Sequence, residues 1–381
     1  MATVLYFSEG LPYGIINELA PLYLRIHHVN LEAIGLLSAV GLAWTLKVFW
    51  APLVELGTYR RWVAGALCAL TLLLASLAVV PPAGQLFWII LIALAIASAT
   101  QDIAVDAFTI RATPPDMLGP VNSLRVMAYR AAIMAGGGGL AALAGYAGWS
   151  VAFYTAAALA ALILCFTLFV VPDDRAEKSE HQSLFADLTP WLNRPRAAAI
   201  IAMVLLYRLG EFAIVPMIKP YWVDRGYSVA EIGTITTVVG VSVSVAGAVL
   251  GGLFISRFGL YAGMIWLGIA QLVSNIGYGI VATMAAGRWA IYAAAVLENL
   301  GFGLGTAAFL AFLMSICDRK RAATEYALIT ALFGVTRTVM GSASGWLAHH
   351  MGYAPYFWLT VFLGIPALFL LPKIKADVVQ I

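Results

Sequence analysis

Apolar runs of about twenty residues, separated by short polar connections, recur along nearly the whole chain. A bilayer core is crossed by roughly 20 apolar residues in a helix, so each run predicts one membrane-spanning helix. The pattern predicts twelve such spans. They cover residues 2–24, 31–54, 62–81, 85–110, 118–146, 149–171, 197–222, 229–254, 260–284, 288–316, 322–348 and 353–372.

One long polar stretch, from Pro172 to Arg196, separates six spans from six. It predicts an N-terminal six-helix bundle over residues 1–171, a cytoplasmic linker over 172–196 and a C-terminal six-helix bundle over 197–381.

The two halves repeat each other in sequence. Pro21 leads through Glu32 to an Ile-Gly pair, and Pro220 leads through Glu231 to a second Ile-Gly pair, at an offset close to 200 residues. Ser228 and Glu231 also match a capping box. Parallel duplication of a six-helix unit resembles the major facilitator architecture, in which the solute site lies between the halves near mid-membrane. The predicted fold is therefore an all-α polytopic membrane protein of twelve transmembrane helices, with two bundles related by pseudo-two-fold symmetry.

Composition supports this interpretation. The chain is 62% hydrophobic and 11% charged, whereas a soluble domain carries about 25% charged residues. The three cysteines lie in three different apolar segments, which argues against a disulfide framework. No basic tract is present to bind nucleic acid, and no HExxH motif or nucleophile elbow suggests an enzyme.

The distribution of Lys and Arg in the loops predicts the orientation, because cytoplasmic loops are enriched in these residues. One side carries three of them, Arg25, Arg225 and Arg288. The other side carries Arg60, Arg61, Arg111, Arg175, Lys178, Arg194, Arg196, Arg257, Arg319, Lys320, Arg321, Lys373 and Lys375. Both termini and the linker are therefore predicted to be cytoplasmic.

Charged residues inside the spans are the candidate functional groups, because a carboxylate at the bilayer centre costs roughly 2.5–3.5 kcal/mol on insertion scales. Asp102 and Asp106 are four residues apart and so share a helix face. Our count gives six acids against five bases, which predicts one acid that lacks a permanent partner and can carry a proton. The acids are Glu9, Glu18, Asp102, Asp106, Glu211 and Glu298, and the bases are Lys47, Arg125, Arg130, Arg208 and Arg337.

Two sets of roles follow from this placement. Proton coupling or gating is predicted for Glu9, Asp102, Asp106, Arg125, Arg130, Glu211, Glu298 and Arg337. Contacts with solute are predicted for Tyr6, Tyr13, Lys47, Arg208 and Asn299. A structural alternative stays open for Asp106, Arg125, Arg130 and Arg337, which would then be ion pairs that lock helix ends. Arg208 and Glu211, three residues apart, are close enough to pair with each other.

Three further motifs have a structural and a functional interpretation. The run Gly136–Gly139 lies within a span and has no Lys-Ser or Lys-Thr after it, so it predicts close helix packing rather than a phosphate site. The pairs His27-His28 and His349-His350 fall at the outer surface and favour interfacial positions over a metal site. Gly10-Leu11-Pro12, next to Glu9, predicts a break in the first helix.

The chain resembles the AmpG-type muropeptide permeases, a branch of the major facilitator superfamily. The resemblance extends from the first to the eleventh span. It rests on Gly10-Leu11-Pro12, Ile34-Gly35, Lys47 with Trp50-Ala51-Pro52, Gln101-Asp102-Ile103-Ala104-Val105-Asp106, Glu298-Asn299-Leu300 and Gly305-Thr306-Ala307-Ala308-Phe309. Two positions depart from the family pattern: Glu9 stands where Ser or Gln is expected, and Glu55-Leu56 replaces the usual Asp-Arg.

This resemblance implies proton-driven import of a muropeptide or another polar or amphiphilic solute across the bacterial inner membrane. Its implied partners are a small-molecule solute and the lipid bilayer, with no nucleic acid, no cofactor beyond the proton gradient, and a monomeric state. Two alternatives remain open. One is transport of a siderophore or other amphiphile, and the other is a membrane assembly factor or sensor that retains the fold without transport.

Overall fold

The computed structural model describes residues 1–54, 57–82, 84–113, 118–172, 196–284, 286–316 and 322–379. Over these ranges the chain forms twelve successive helical runs, named helix 1 to helix 12. Several runs consist of consecutive segments with different hydrogen-bond patterns.

The first six helices have the following bounds. Helix 1 comprises Ala2–Gly14, Ile15–Leu19 and Ala20–Ile26; helix 2 comprises Leu31–Val40, Leu42–Leu46, Lys47–Phe49 and Ala51–Val54; helix 3 is Tyr59–Leu77; helix 4 is Gln85–Ala112; helix 5 comprises Leu118–Ile133, Met134–Gly139 and Leu140–Ala147; helix 6 is Trp149–Val170.

The last six helices follow the same order. Helix 7 comprises Ala197–Leu206 and Leu209–Asp224; helix 8 comprises Val229–Ile232, Gly233–Val239 and Gly240–Phe258; helix 9 is Leu260–Thr283; helix 10 is Arg288–Ser315; helix 11 is Ala322–Met351; helix 12 is Tyr353–Val379.

Nine of these helices, counted over the described residues, are long and apolar enough to cross a membrane by length and composition. Helices 1, 2 and 11 are the other three. The predicted all-α membrane protein is confirmed, and the predicted twelve spans are consistent with the twelve helical runs. Apart from Pro172 and Arg196, the predicted linker lies outside the described residues, as do Glu55-Leu56, Cys317 and the loop bases Arg319 to Arg321.

Contacts divide the chain into two compact units. Unit 1 contains Met1–Ser179 together with Lys219–Val238, and unit 2 contains Glu180–Ile218 together with Val239–Ile381. The chain therefore passes from unit 2 into unit 1 within helix 7 and returns within helix 8. The division into bundles 1–171 and 197–381 stays a prediction based on the sequence repeat.

Glycines bring helices 1, 5 and the start of helix 8 close together in unit 1. A Cβ atom on Gly136 would lie 2.6 Å from the Leu11 carbonyl oxygen, and one on Gly138 would lie 2.6 Å from the Gly233 carbonyl oxygen. Both distances are below van der Waals contact, so only glycine fits at these crossings. The predicted packing role is confirmed for Gly136, Gly137 and Gly138, whereas Gly139 makes no such close approach to another helix.

The predicted break at Gly10-Leu11-Pro12 is wrong. The α-helix continues to Gly14 with Pro12 inside it, and the irregular segment is the π-helix Ile15–Leu19 that follows. Pro12 has no N–H to donate to the preceding turn. The π-helix begins three residues after Pro12, with the Ala20 N–H bonding to the Ile15 carbonyl five residues back. Matching π-segments occur in helix 5 at Met134–Gly139 and in helix 8 at Gly233–Val239.

In unit 2, helix 10 packs against helices 8 and 9, and helix 12 packs against helices 7 and 9. Tyr207 stacks on Phe309 with ring centroids 5.6 Å apart, in the buried apolar core of this unit. Helix 7 is interrupted at Tyr207-Arg208, whereas the sequence predicted one continuous span over 197–222. The Tyr207 hydroxyl donates to the Met264 carbonyl of helix 9 at 2.9 Å, which fixes the position of the interruption.

Equivalent caps begin helices 2 and 8. Asn30 accepts a hydrogen bond from the Ala33 N–H, and Ser228 forms the predicted capping box with Glu231. Both caps satisfy backbone N–H groups that a helix start leaves without partners. The local structure at these two places therefore agrees with the sequence repeat.

Substitution of Gly136 tests the close packing of helices 1 and 5. We expect Gly136→Ala to destabilise the protein by roughly 1–3 kcal/mol, because the new methyl group overpacks the crossing. Gly139→Ala is the matched control, since its Cβ would have only the Met134 carbonyl oxygen nearby, at 3.6 Å. Thermal unfolding of the detergent-purified proteins measures both, and equal melting temperatures for the two variants would contradict the packing interpretation.

Candidate functional site

The acidic pair of helix 4 lies in unit 1 beside two basic residues. Arg125 of helix 5 forms an ion pair with Asp106, with a guanidinium nitrogen 3.0 Å from Oδ1. Lys47 of helix 2 lies 3.6 Å from Asp102 Oδ2, which is beyond the usual hydrogen-bond length. The predicted four-residue spacing therefore places both carboxylates near cations, with a closer contact at Asp106 than at Asp102.

Tyr6 of helix 1 belongs to the contact at Asp106. Its hydroxyl donates to Asp106 Oδ1 at 3.1 Å, and the Arg125 guanidinium lies 4.7 Å from the centre of its ring. A cation over an aromatic face is attracted by the ring quadrupole. Tyr6 is 1% exposed, so its contact with this ion pair is buried inside the protein.

Glu9 lies on helix 1, less than one turn beyond Tyr6, and is 3% exposed. Its Oε1 atom has no hydrogen-bond partner among the described residues, and the same holds for Oδ1 of Asp102. The charges that act on Glu9 come from Asp102, Asp106, Arg125 and Lys47. This group contains three acids and two bases, so the acids outnumber the bases around Glu9.

Two neighbouring polar residues complete the buried surroundings of Glu9. The Gln101 amide donates to Ser8 Oγ, and Ser8 Oγ donates to the Leu5 carbonyl at 2.6 Å. Gln101 Oε1 has no partner in the described part of the chain. Buried polar atoms are normally satisfied, so such orphan atoms indicate a place for water, a proton or a ligand.

Tyr13 is part of a half-buried aromatic cluster. Its ring lies 5.6 Å from that of Trp44 on helix 2 and 5.8 Å from that of Tyr129 on helix 5. Arg130, next to Tyr129, is half-buried on the same helix. The sequence analysis identified Tyr13 and missed both Trp44 and Tyr129, because a lone aromatic residue in an apolar span has no distinctive signal.

Unit 2 contains the other predicted residues. Glu211 and Glu298 are 1% and 3% exposed and lie within hydrogen-bonding reach of each other. Glu211 Oε2 accepts a hydrogen bond at 2.9 Å from Gln271 of helix 9, and Glu298 Oε2 accepts one at 2.9 Å from Asn299. Gln271 was missed because an amide in a span is not marked by charge.

Arg208 lies at the interruption of helix 7 and reaches helix 10. Its guanidinium donates to Thr306 Oγ1 at 2.5 Å and lies 4.7 Å from the centre of the Phe302 ring. Electrostatic attraction also acts between Arg208 and Glu211, which agrees with the interaction foreseen from their spacing. Arg337 is half-buried on helix 11 in the same unit.

The structure therefore distributes the predicted residues over two groups, one in each unit. Unit 1 brings together Tyr6, Glu9, Lys47, Asp102, Asp106 and Arg125. Unit 2 brings together Arg208, Glu211, Glu298 and Asn299.

A third charged group was missed because the count of bases in the spans omitted Lys219. Lys219 donates to the side chain of Glu18 and, at 2.7 Å, to the backbone carbonyl of Glu18. Thr237 of helix 8 donates to the same carboxylate at 3.3 Å. Lys219 lies within the predicted span 197–222 and was identifiable there, and it raises the bases named in the sequence analysis from five to six.

A second ion pair lies close by at the ends of the same helices. Arg25 donates to both carboxylate oxygens of Asp224, at 2.6 and 2.5 Å. A two-point contact of this kind is geometrically specific and stronger than a single contact. Both pairs lie within unit 1 and join helix 1 to the end of helix 7.

Comparisons with known proteins identify the family of this chain. The sequence profile described as Major Facilitator Superfamily matches residues 2–207 and 200–379. The anhydromuropeptide permease of Escherichia coli (strain K12) is 29% identical over 383 aligned residues, which cover 97% of this chain and 78% of that protein. The predicted resemblance to AmpG-type permeases is thus confirmed.

Solved structures show the same fold at low sequence identity. One similar structure is that of a bacterial homologue of the human lysosomal transporter Spinster, in an inward-facing and unoccupied conformation. It superposes with a TM-score of 0.81 at 14% identity, over 100% of this chain and 96% of that one. The nucleoside transporter NupG superposes with a TM-score of 0.74 at 15% identity, over 99% and 98% of the two chains.

The family match covers nearly the whole chain, and the similar proteins are permeases and transporters. The prediction of a transporter rather than an enzyme is confirmed by these comparisons. The protein is a multi-pass membrane transporter, and the chain belongs to the Major Facilitator Superfamily.

Proposed function

We propose that this transporter imports a muropeptide-like solute across the bacterial inner membrane, driven by the proton gradient through alternating access. The observation that carries the proposal is the buried Glu9, whose Oε1 atom has no partner while Asp102 and Asp106 lie nearby. Three neighbouring carboxylates with two bases are most stable when one of them holds a proton.

Glu9 and Asp102 are the proposed proton carriers. Asp106 is held by Arg125 at 3.0 Å and by Tyr6, so its charge is compensated throughout. Asp102 has only the longer contact with Lys47, and one oxygen of each carrier has no partner. Protonation at Glu9 or Asp102 weakens the attraction for Lys47 and frees helix 2 to move relative to helix 4.

The solute class rests on the similarity to the anhydromuropeptide permease and on the cluster of Tyr13, Trp44 and Tyr129. A muropeptide combines sugar rings with carboxylate groups. The aromatic faces suit the sugar rings, and Arg130, next to Tyr129 on helix 5, suits a carboxylate. Tyr6 is engaged by Asp106, so its proposed role is to position that acid rather than to contact the solute.

The remaining features of the proposal come from the sequence. Both termini face the cytoplasm, the transporter acts as a monomer, and the proton gradient replaces any cofactor. In the alternating-access cycle, the ends of helices 1 and 7 that bear Arg25 and Asp224 face the periplasm.

Uptake by proteoliposomes tests proton coupling directly. We expect the wild type to take up labelled anhydromuropeptide faster when the outside is made acidic. Glu9→Gln should lower the gradient-driven rate on the order of tenfold, a change of about 1.4 kcal/mol in the barrier, while solute exchange without a gradient persists. An amide has nearly the shape of the acid but neither gains nor loses a proton in the working pH range, which is the reason for the expected loss.

Glu32→Gln provides the control, because Glu32 lies in the first turn of helix 2, away from the charged group. It should retain gradient-driven uptake. Uptake by the wild type that ignores the gradient would overturn proton coupling. Full coupling in both Glu9→Gln and Asp102→Asn would show that the proton is carried elsewhere.

The pair formed by Glu18 and Lys219 is the proposed outer lock. Lys219 holds both the carboxylate and the backbone carbonyl of Glu18, which lies in the π-segment of helix 1. Helix 1 and the end of helix 7 cannot separate without breaking these bonds. Because breaking a partly buried ion pair is costly, the pair stabilises the closed outer side.

A charge exchange tests this lock. Glu18→Lys and Lys219→Glu should each reduce uptake on the order of tenfold, because each leaves two like charges in contact. The double variant should recover part of the rate, since it restores the ion pair but not the bond to the Glu18 carbonyl. Absence of any recovery in the double variant, with all three proteins folded, would contradict a direct pair.

The aromatic cluster predicts a separate effect on solute affinity. Trp44→Ala should raise KM about fivefold, which corresponds to roughly 1 kcal/mol of binding free energy. The maximal rate should change little, because the lost ring contacts the solute in all states. Trp289→Ala is the control, since Trp289 is 83% exposed at the start of helix 10. Concentration-dependent uptake distinguishes the two variants, and an unchanged KM in Trp44→Ala would remove this cluster from the solute site.

A further inference from the structure

Three basic side chains lie at one end of unit 2, where helices 8 and 12 end and helix 9 begins. Arg257 is in the last turn of helix 8, and Lys373 and Lys375 are in the last part of helix 12. All three side chains are exposed. Because helices 8 and 12 both pack against helix 9, the bases of the two helices lie beside the same helix start.

Short contacts fix the helix ends that carry these bases. A Cβ atom on Gly263 of helix 9 would lie 2.7 Å from Ile255 Cγ1 of helix 8, so the glycine allows the two helices to touch. Lys375 Nζ lies 5.4 Å from the centre of the Tyr261 ring on helix 9, where the ring attracts the cation. Ile374, between the two lysines, is buried in the apolar core of unit 2. The backbone is therefore anchored while the charged groups remain accessible.

The positive charge of this surface is not compensated by acids. None of the three bases forms an ion pair in the described part of the chain. Helix 8 after Glu231, helix 9, and helix 12 as far as Lys375 contain no acidic residue. The start of helix 9 adds partial positive charge, because its N-cap residue Gly259 has no side chain to accept from the first N–H groups. The surface is therefore complementary to an anion.

The residues one turn before these bases indicate which kind of anion fits. Leu253 precedes Arg257 by four residues and Phe369 precedes Lys373 by four residues, so each pair shares a helix face. Leu253 and Phe369 are 62% and 75% exposed, on helices that are long and apolar enough to cross a membrane. Each helix thus presents an apolar side chain to the acyl region, followed by a base. A phospholipid has acyl chains and a phosphate in this order, whereas a soluble anion has no group for the apolar residues.

We propose that this end of unit 2 binds the headgroup of an anionic phospholipid, with Arg257, Lys373 and Lys375 in contact with its phosphates. Basic pockets between membrane helices on the cytoplasmic side are a known type of site for such headgroups. Cardiolipin is the suitable probe, because its two phosphates match the three bases. The site contains no residue assigned above to the proton or to the solute, so it goes beyond the proposed import.

Native mass spectrometry of the purified full-length protein in a neutral detergent tests the proposal. We expect saturable binding of cardiolipin to the wild type. Phosphatidylcholine with the same acyl chains should not bind in the same concentration range, because its headgroup is zwitterionic. Equal affinity for the two lipids, or no saturable binding of cardiolipin, would overturn the proposal without the need for any variant.

Three variants and a matched control assign the binding to this surface. Arg257→Gln, Lys373→Gln and Lys375→Gln should each lower the affinity for cardiolipin about fivefold. This factor corresponds to roughly 1 kcal/mol for each basic residue near an anionic lipid surface. The triple variant should lose affinity on the order of a hundredfold, and an unchanged affinity in the triple variant would overturn the assignment.

Arg61→Gln is the control. Arg61 is an exposed base at the start of helix 3 in unit 1, on the same predicted side of the membrane. This variant should bind cardiolipin as the wild type does. An equal loss of affinity in Arg61→Gln and Lys375→Gln would show a general attraction to basic residues on that side, and it would overturn a specific site.

Deacylated cardiolipin, which keeps both phosphates but has no acyl chains, distinguishes a lipid site from a site for a soluble anion. It should not displace cardiolipin at concentrations near the dissociation constant of the intact lipid. Displacement in that range would identify a soluble-anion site and overturn the proposal. None of these measurements involves transport or a proton gradient, so the failure of proton-coupled import would leave this result unaffected, and the reverse also holds.

Discussion

A carboxylate enclosed by membrane helices has to be compensated by a cation, a proton or several hydrogen-bond donors, since water is scarce around it. This constraint explains the composition of the charged group of unit 1. Asp106 is compensated by Arg125 and Tyr6, whereas Asp102 has only a long contact with Lys47, and Glu9 retains an oxygen without a partner. The negative charge is therefore well compensated at Asp106 and poorly compensated at Asp102 and Glu9. This difference makes a movable proton chemically reasonable at the latter two residues.

The backbone of helices 1, 5 and 8 supports a different charged group of unit 1, the pair formed by Glu18 and Lys219. Glycines at Gly136 and Gly138 allow the helices to touch, and each helix contains a π-segment near the contact. A π-segment changes the direction of the side chains and carbonyls that follow it. In helix 1 this brings the carboxylate and the carbonyl of Glu18 to the same lysine, so the proposed outer lock depends on the irregular backbone as much as on charge.

Much of this was accessible from the sequence, and the limits have physical causes. The spans, the repeat and the shared face of Asp102 and Asp106 follow from periodicity alone. The partner of each acid does not, because pairs such as Arg125 with Asp106 are about twenty residues apart and depend on how helices pack. Pro12 shows a different limit, since local propensity predicts a break at a residue through which the α-helix continues. Gln271 and Trp44 carry no charge, so nothing in the sequence marks them as candidate site residues. Only their contacts in the structure identify them.

The two units illustrate how a duplicated scaffold acquires different chemistry. Each places a buried glutamate on the first helix of its half, Glu9 in one and Glu211 in the other. Around Glu9 the neighbours that matter are two further acids and two bases, which is the reason that a proton is proposed there. Around Glu211 they include the Gln271 amide, which donates a hydrogen bond to its carboxylate, and the Arg208 cation. The repeat aligns Glu9 with Arg208 rather than with Glu211, so the two glutamates differ in position as well as in surroundings.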